Sequence, residues 1–205
     1  MFADFRTQFG RDMRGGPTAN SAALRSDFPE LNELVATFGG ASFRGGLYRI
    51  LRSGDAGAWR DRVAIAFPEF SGRATCFGFD WLGRAFALDT TRTEDRRAAV
   101  LMFDVGAGEA LEVPTNVESF HDSELVEYTD AALAENFHRK WLRSGGAEPA
   151  FDQCVGYKKP LFLGGTDELE NLELSDLDVY WHVTGQLRAK TRGVPVGTRV
   201  RTTIE

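Results

Sequence analysis

Between Gly46 and Val113 short apolar runs recur at intervals of roughly ten residues: Gly46 to Leu51, Val63 to Phe67, Thr75 to Phe79, Ala85 to Leu88, Ala99 to Phe103 and Ala110 to Val113. Runs this short, separated by turn residues, suit the strands of an antiparallel sheet. Asp80-Trp81-Leu82-Gly83-Arg84 parts two of them, and Gly83 can take the positive φ that a hairpin loop requires. Trp81 is expected to pack over that turn.

Helical spacing brackets the sheet. Phe2, Phe5 and Phe9 fall on one face of a short helix ending at Gly10. Residues Arg11 to Ala22, with Gly15, Gly16 and Pro17, read as an irregular connection. Asp27 and Glu30 then have the spacing of a capping box. The helix they open carries Leu31, Leu34, Val35 and Phe38 as its apolar stripe, with Pro29 in the tolerant first turn and Gly39 as the left-handed stop. Beyond Pro114, Leu133, Phe137 and Trp141 share another stripe, and His138, Arg139, Lys140 and Arg143 sit where a helix C-terminus favours positive charge. A last helix is expected near Ser175, capped by its hydroxyl, burying Leu177, Tyr180, Trp181, Thr184 and Leu187 and ending at Gly193 and Pro195. The pattern is α+β: an antiparallel sheet with flanking helices, then a helix-rich C-terminal lobe. It divides near Pro114 into residues 1–114 and 115–205, unless a shared core makes them one cooperative unit.

Composition bounds the function. Hydrophobic residues at 42% and charged residues at 26% describe a globular chain. Met1-Phe2-Ala3-Asp4-Phe5-Arg6 places an acid where a secretory signal needs a basic start, and the longest apolar run, Ala98 to Phe103, is far below the roughly 18 residues of a membrane span. A soluble cytoplasmic protein is expected. Cys76 and Cys154 lie far apart and read as two reduced, buried thiols. The formal charge of -6 opposes general phosphate binding and favours a basic partner.

Motifs for catalysis fail on spacing. Gly40-Ala41-Ser42-Phe43-Arg44-Gly45 misses the nucleophile elbow by one residue and follows a helix. The glycines at 39, 40, 45 and 46 lack the Lys-Ser or Lys-Thr pair of a phosphate loop, and Gly106-Ala107-Gly108 lacks the third glycine of a dinucleotide fingerprint. His121, His138 and His182 form no helical metal pair and read as surface or capping groups, His182 beside the core. None of Lys140, Lys158, Lys159 and Lys190 has an acid two residues before it, as a metal-dependent nuclease would need. No cofactor is indicated. Arg84, Arg92, Arg96 and Arg97, and Arg188, Lys190, Arg192, Arg199 and Arg201, are basic clusters without interleaved aromatics, better suited to ion pairing than to nucleic acid.

Two stretches lack Lys and Arg altogether. Thr115 to Phe137 contains Glu118, Asp122, Glu124, Glu127, Asp130 and Glu135; Leu161 to Leu187 contains Asp167, Glu168, Glu170, Glu173, Asp176 and Asp178. Each is a solvated face or a docking surface for a basic partner, and Asp176 and Asp178 are also placed to serve a helix start.

The segment Cys154-Val155-Gly156-Tyr157-Lys158-Lys159-Pro160-Leu161-Phe162-Leu163-Gly164-Gly165, followed by Glu170-Asn171-Leu172 and Val179-Tyr180-Trp181, resembles the C-terminal domain of Tdi-type type VI secretion immunity proteins. Gly46-Leu47-Tyr48-Arg49 and Phe77 to Arg84 are similar to the GAD-like domain that accompanies it. The resemblance implies a noncatalytic protein that binds and neutralises a cognate effector toxin, with a DNase the leading candidate. Asp167, Glu168, Glu170, Glu173, Asp176 and Asp178 are the candidate contacts. A regulatory protein-interaction module and a small hydrolase with a dispersed active site are the competing readings.

Overall fold

The computed structural model describes residues 1–12 and 26–193 of the chain. Helices α1 (Ala3–Gln8) and α2 (Pro29–Phe38) precede strands β1 (Ser42–Phe43) and β2 (Tyr48–Ile50). Helix α3 (Ala56–Ala66) is followed by β3 (Ala74–Asp80), β4 (Ala85–Glu94), β5 (Arg97–Asp104) and β6 (Glu109–Asn116). A winding helical stretch comes next: α4 (Val117–Ser119), a π-helical turn (Phe120–Glu124), α5 (Leu125–Glu127), α6 (Thr129–Leu133) and α7 (Glu135–Arg143). Strands β7 (Gln153–Tyr157) and β8 (Leu172–Asp176) and helix α8 (Leu177–Thr191) complete the described chain.

The fold is α+β, as the pattern implies. Strands β1 to β6 lie side by side in chain order, each antiparallel to the next, and β7 pairs antiparallel with β8 in a separate sheet. Successive side chains in a strand point to opposite faces. Tyr48, Ile50, Phe86, Leu88 and Val100 accordingly join one core with α1, α2 and the π-helical turn, while Ala85, Ala87, Leu101 and Phe103 join a second core with α3 and α8. Helices cover both faces of the middle of the sheet, which explains why Ala85 to Leu88 and Ala99 to Phe103 read as continuous apolar runs instead of alternating ones. A register shift between Cys76 and Gly78 puts Phe77 in the first core and Phe79 in the second, although they are two residues apart.

Both cores draw on the C-terminal region. Val117, Phe120, Leu125, Leu133, Val155 and Leu172 belong to the first, and Cys154, Leu177, Tyr180 and Trp181 to the second. Pro114 itself lies inside β6. The contact of β7 with α8 is close enough that a Cβ on Gly156 would come within 2.4 Å of the Tyr180 ring, so only glycine fits there.

Several local expectations change. Val63 to Ala66 is the end of α3, not a strand; Trp59, Val63 and Ala66 recur at helical spacing and point into the second core. Four or five apolar residues do not by themselves distinguish the two periods. The Asp27/Glu30 capping box does not form: Phe28 is the N-cap residue and Asp27 is exposed. Instead Asn32 accepts the Ser26 N–H and donates to the Ser26 carbonyl, both at 2.9 Å, closing the helix entrance from its first turn. The left-handed residue after α2 is Gly40 (φ 78°), with Gly39 at φ -52°. The α8 cap is Asp176, whose Oδ1 accepts the Val179 N–H at 2.9 Å, while Ser175 lies in β8. A carboxylate there also meets the positive end of the helix dipole. Leu133 and Phe137 are split between α6 and α7 by Ala134, which is left-handed at φ 53°.

Other expectations hold. Phe2, Phe5 and Phe9 are buried together, and Gly83 has φ 77° in the β3–β4 turn. Cys76 and Cys154 are free and buried, their thiols pushed up to about 12 by burial. Among the described residues no helix is long and apolar enough to cross a membrane. The expected irregular connection at Gly15, Gly16 and Pro17, and Pro195, Arg199 and Arg201, lie outside the described residues.

Candidate partner-binding surface

Charged side chains separate into a buried joint and an exposed face. The joint centres on Arg49, fully buried on β2. Its guanidinium donates to the carbonyls of Ala150 (2.7 Å), Gln153 and Asp80 (2.8 Å), so one side chain ties the large sheet to the loop that enters β7. Burial lowers the Arg49 pKa to about 10, and its Nε has no hydrogen-bond partner. Beside it Asp80 accepts the backbone N–H groups of Leu82 (3.0 Å) and Arg84 (2.9 Å) and the Arg84 Nε–H (2.6 Å). Burial raises the Asp80 pKa against the opposing pull of Arg84. Trp81 is buried against Phe137 and His138 of α7, away from the expected seat over the turn, and donates its Nε1–H to the Leu133 carbonyl at 2.9 Å.

Two of the three histidines belong to this interior, contrary to the expectation of surface or capping groups. His121 is fully buried among Phe2, Phe5 and Phe77, with Tyr48 Oη 3.1 Å from its Nε2. His138 is 2% exposed, its ring centroid 5.0 Å from that of Trp81, and its Nε2 has no partner. Burial lowers both to about 4, helped at His138 by the charge of Arg49. His138 lies in the middle of α7, where the helix turns it toward Trp81. His182 is exposed, 3.0 Å from Gln186.

The first acidic stretch is largely consumed by the fold. Glu118 pairs with Arg97, Asp122 accepts the Phe5 N–H at 3.0 Å, Asp130 takes two donors from Asn136 at 2.7 Å, and Glu135 binds Arg44 and Arg139. Four arginines of the basic clusters are likewise paired: Arg84 with Asp80, Arg92 with Asp89 and Glu112, and Arg188 and Arg192 with Glu69.

In the second stretch all six candidate contacts are exposed. Asp167 accepts the Tyr157 hydroxyl at 2.6 Å, Asp176 caps α8, and Asp178 accepts Arg62 Nε at 2.9 Å. Glu168, Glu170 and Glu173 make no side-chain hydrogen bond or ion pair among the described residues. Glu168 precedes and Glu170 lies in the short 3-10 turn Leu169–Asn171, Glu173 is on β8, and Leu174 (37% exposed) follows it.

Two cavities flank the Arg62–Asp178 pair. One, of about 190 Å³, lies between the 52–55 turn, α3, the 151–152 loop and the start of α8. The other, of about 240 Å³, is walled by Ile65, Trp181 and His182. Ile65 is 46% exposed, and Val179, next to Asp178, is 59% exposed. Apolar groups ringed by charge are the anatomy of a protein interface. Phe151, Asp152, Trp59 and Arg52 escape sequence reading because they come from separate segments with no spacing that links them. The buried His121, His138 and Asp80 line neither cavity. Among the described residues no group of three or more His, Cys, Asp or Glu is placed to hold a metal ion.

No curated protein matches the chain. Atu4351 from Agrobacterium tumefaciens, known from a crystal structure, superposes with a TM-score of 0.64 over 91% of this chain and 89% of its own, at 16% sequence identity, a likeness of fold. Residues 115–188, just over a third of the chain, match a family model described as T6SS immunity protein Tdi1, C-terminal. That span contains the exposed acids and the helices closing both cores, so the region resembling the Cys154–Trp181 motif is, by this match, similar to the C-terminal part of a type VI secretion immunity protein.

Proposed function

We propose that this chain is a noncatalytic immunity protein that binds and neutralises a cognate type VI secretion effector in the cytoplasm, the target being a DNA-degrading toxin. The family match over residues 115–188 carries the reading. The chemistry is compatible with it. A nuclease presents positive charge where it grips phosphate, and a chain of formal charge -6 whose exposed Glu168, Glu170 and Glu173 have no ion-pair partner among the described residues is complementary to such a groove. On this reading the sheet-rich N-terminal part is the GAD-like domain and acts as the scaffold on which the acidic region is mounted. Asp167, Glu168, Glu170, Glu173, Asp176 and Asp178 are its contact candidates, with Asp176 and Asp167 also holding local structure.

Co-expression with the effector encoded beside it tests the proposal. Growth should be restored and the two proteins should copurify at a fixed ratio. Loss of both with a toxin verified to kill overturns it, and recovery of a housekeeping protein alone from the native cell favours a regulatory module instead.

A further inference from the structure

We infer that the cavity between the 52–55 turn, α3 and the start of α8 is a socket for a basic side chain of a protein partner, arginine before lysine, and that Arg52 occupies part of it in the free protein. The inference deepens the immunity reading and rests on it for the identity of the partner.

Charge argues for a cationic guest. The lining carries four carboxylates, Asp55, Asp152, Asp176 and Asp178, against two guanidiniums, Arg52 and Arg62. Arg62 is matched by Asp178, and Asp176 is committed to the α8 cap. Asp152 is exposed and its side chain makes no hydrogen bond or ion pair among the described residues, while Asp55 accepts only the Arg52 backbone N–H at 3.2 Å. Two carboxylates at one mouth thus keep most of their acceptor capacity, which suits a donor-rich planar group.

The aromatic wall argues for the same guest independently. Arg52 lies over the Phe151 ring with its guanidinium carbon 3.9 Å from the centroid, and Arg62 over Trp59 at 4.9 Å. The wall already selects guanidinium groups from its own chain. Arg62 is held by its carboxylate, but among the described residues no carboxylate holds the Arg52 guanidinium, and Arg52 is exposed. Its seat on Phe151 is the one an incoming arginine can take, with Asp152 and Asp55 beside it. A volume of about 190 Å³ leaves room for the end of one long side chain. Lysine fits less well because its compact ammonium neither stacks nor presents a fork.

The test titrates the full chain with N-acetyl-arginine amide, N-acetyl-lysine amide and N-acetyl-glutamate amide, following backbone amide resonances. Arginine should cause saturable shifts centred on residues 52–55, 151–152 and 176–178, lysine weaker ones, and glutamate none. Asp152→Asn should weaken arginine binding, and Arg52→Ala should tighten it by about 2- to 5-fold by vacating the ring. Shifts that never saturate, that spread equally to Glu168, Glu170 and Glu173, or that are unchanged in both variants overturn the socket. Copurification separates this failure from failure of the immunity reading. If wild type binds the effector and the Asp55→Lys, Asp152→Lys double variant, with unchanged circular dichroism, binds equally well, the socket is wrong and immunity stands. If wild type captures no effector while arginine still saturates the site, immunity is wrong and the socket stands.

Discussion

Asp80 and Asp178 each face an arginine, at 2.6 Å and 2.5 Å, yet Asp80 is fully buried and Asp178 is 75% exposed. The same chemistry therefore does two different jobs. Around Asp80 both carboxylate oxygens are engaged by the β3–β4 turn and by Arg84, and removing the carboxylate leaves a largely buried guanidinium with the Ala132 carbonyl but no counter-charge beside it. Around Asp178 water can replace either partner at small cost. Asp80→Ala should accordingly destabilise the protein by about 3–5 kcal/mol. Asp178→Ala should change stability by about 0–1 kcal/mol. Urea unfolding followed by tryptophan fluorescence measures both, and equal midpoints for the two variants would erase the distinction between joint and face.

Acid should strike the joint before the face. His121 and His138 have pKa values of about 4 when folded, against about 6.5 in an unfolded chain. A depressed native pKa means that the neutral form is favoured by folding, so the stabilisation is complete above pH 6.5 and is lost as pH falls toward 4. At pH 5 the loss is about 2 kcal/mol for each histidine. Asp80 and Asp104, raised by burial, work in the opposite sense, so the informative quantity is a difference between variants. His138→Phe keeps a ring against Trp81 and removes the unpartnered Nε2; its stability should fall less between pH 7 and pH 5 than that of wild type, by about 2 kcal/mol. Parallel pH profiles would mean that His138 is not held neutral.

These same residues mark where sequence reading reached its limit. The sheet was legible because five of its six strands carry apolar runs bounded by turn residues, and α8 because Leu177, Tyr180, Trp181 and Thr184 share one stripe. Strand β1, only Ser42 and Phe43, is too short to carry a pattern. His138 looked like a capping group because periodicity counts residues along a helix and is silent about what lies across from it. Trp81, 57 positions earlier, is what buries it. The candidate surface was half legible: the acids of the second stretch stand together in the chain and remain exposed together. The cavity beside them was not, since Arg52, Trp59, Phe151 and Asp178 meet only after α3 and α8 have packed on the sheet.

The smallest effect on stability carries the sharpest test of the face. Glu168→Lys, Glu170→Lys and Glu173→Lys alter exposed side chains with no partner among the described residues, so each should shift unfolding free energy by no more than about 0.5 kcal/mol. On the proposed function their effect belongs to association. Rim charges steer encounter, and reversing them should lower the on-rate for a basic effector far more than it raises the off-rate. Because exposed charges are screened within about 8 Å at physiological ionic strength, the wild-type on-rate should fall with added salt, and the triple variant should show a flatter dependence. An on-rate and salt slope equal to those of wild type would leave Glu168, Glu170 and Glu173 as a solvated edge and return the burden of recognition to Ile65, Val179 and the cavities on either side of the Arg62–Asp178 pair.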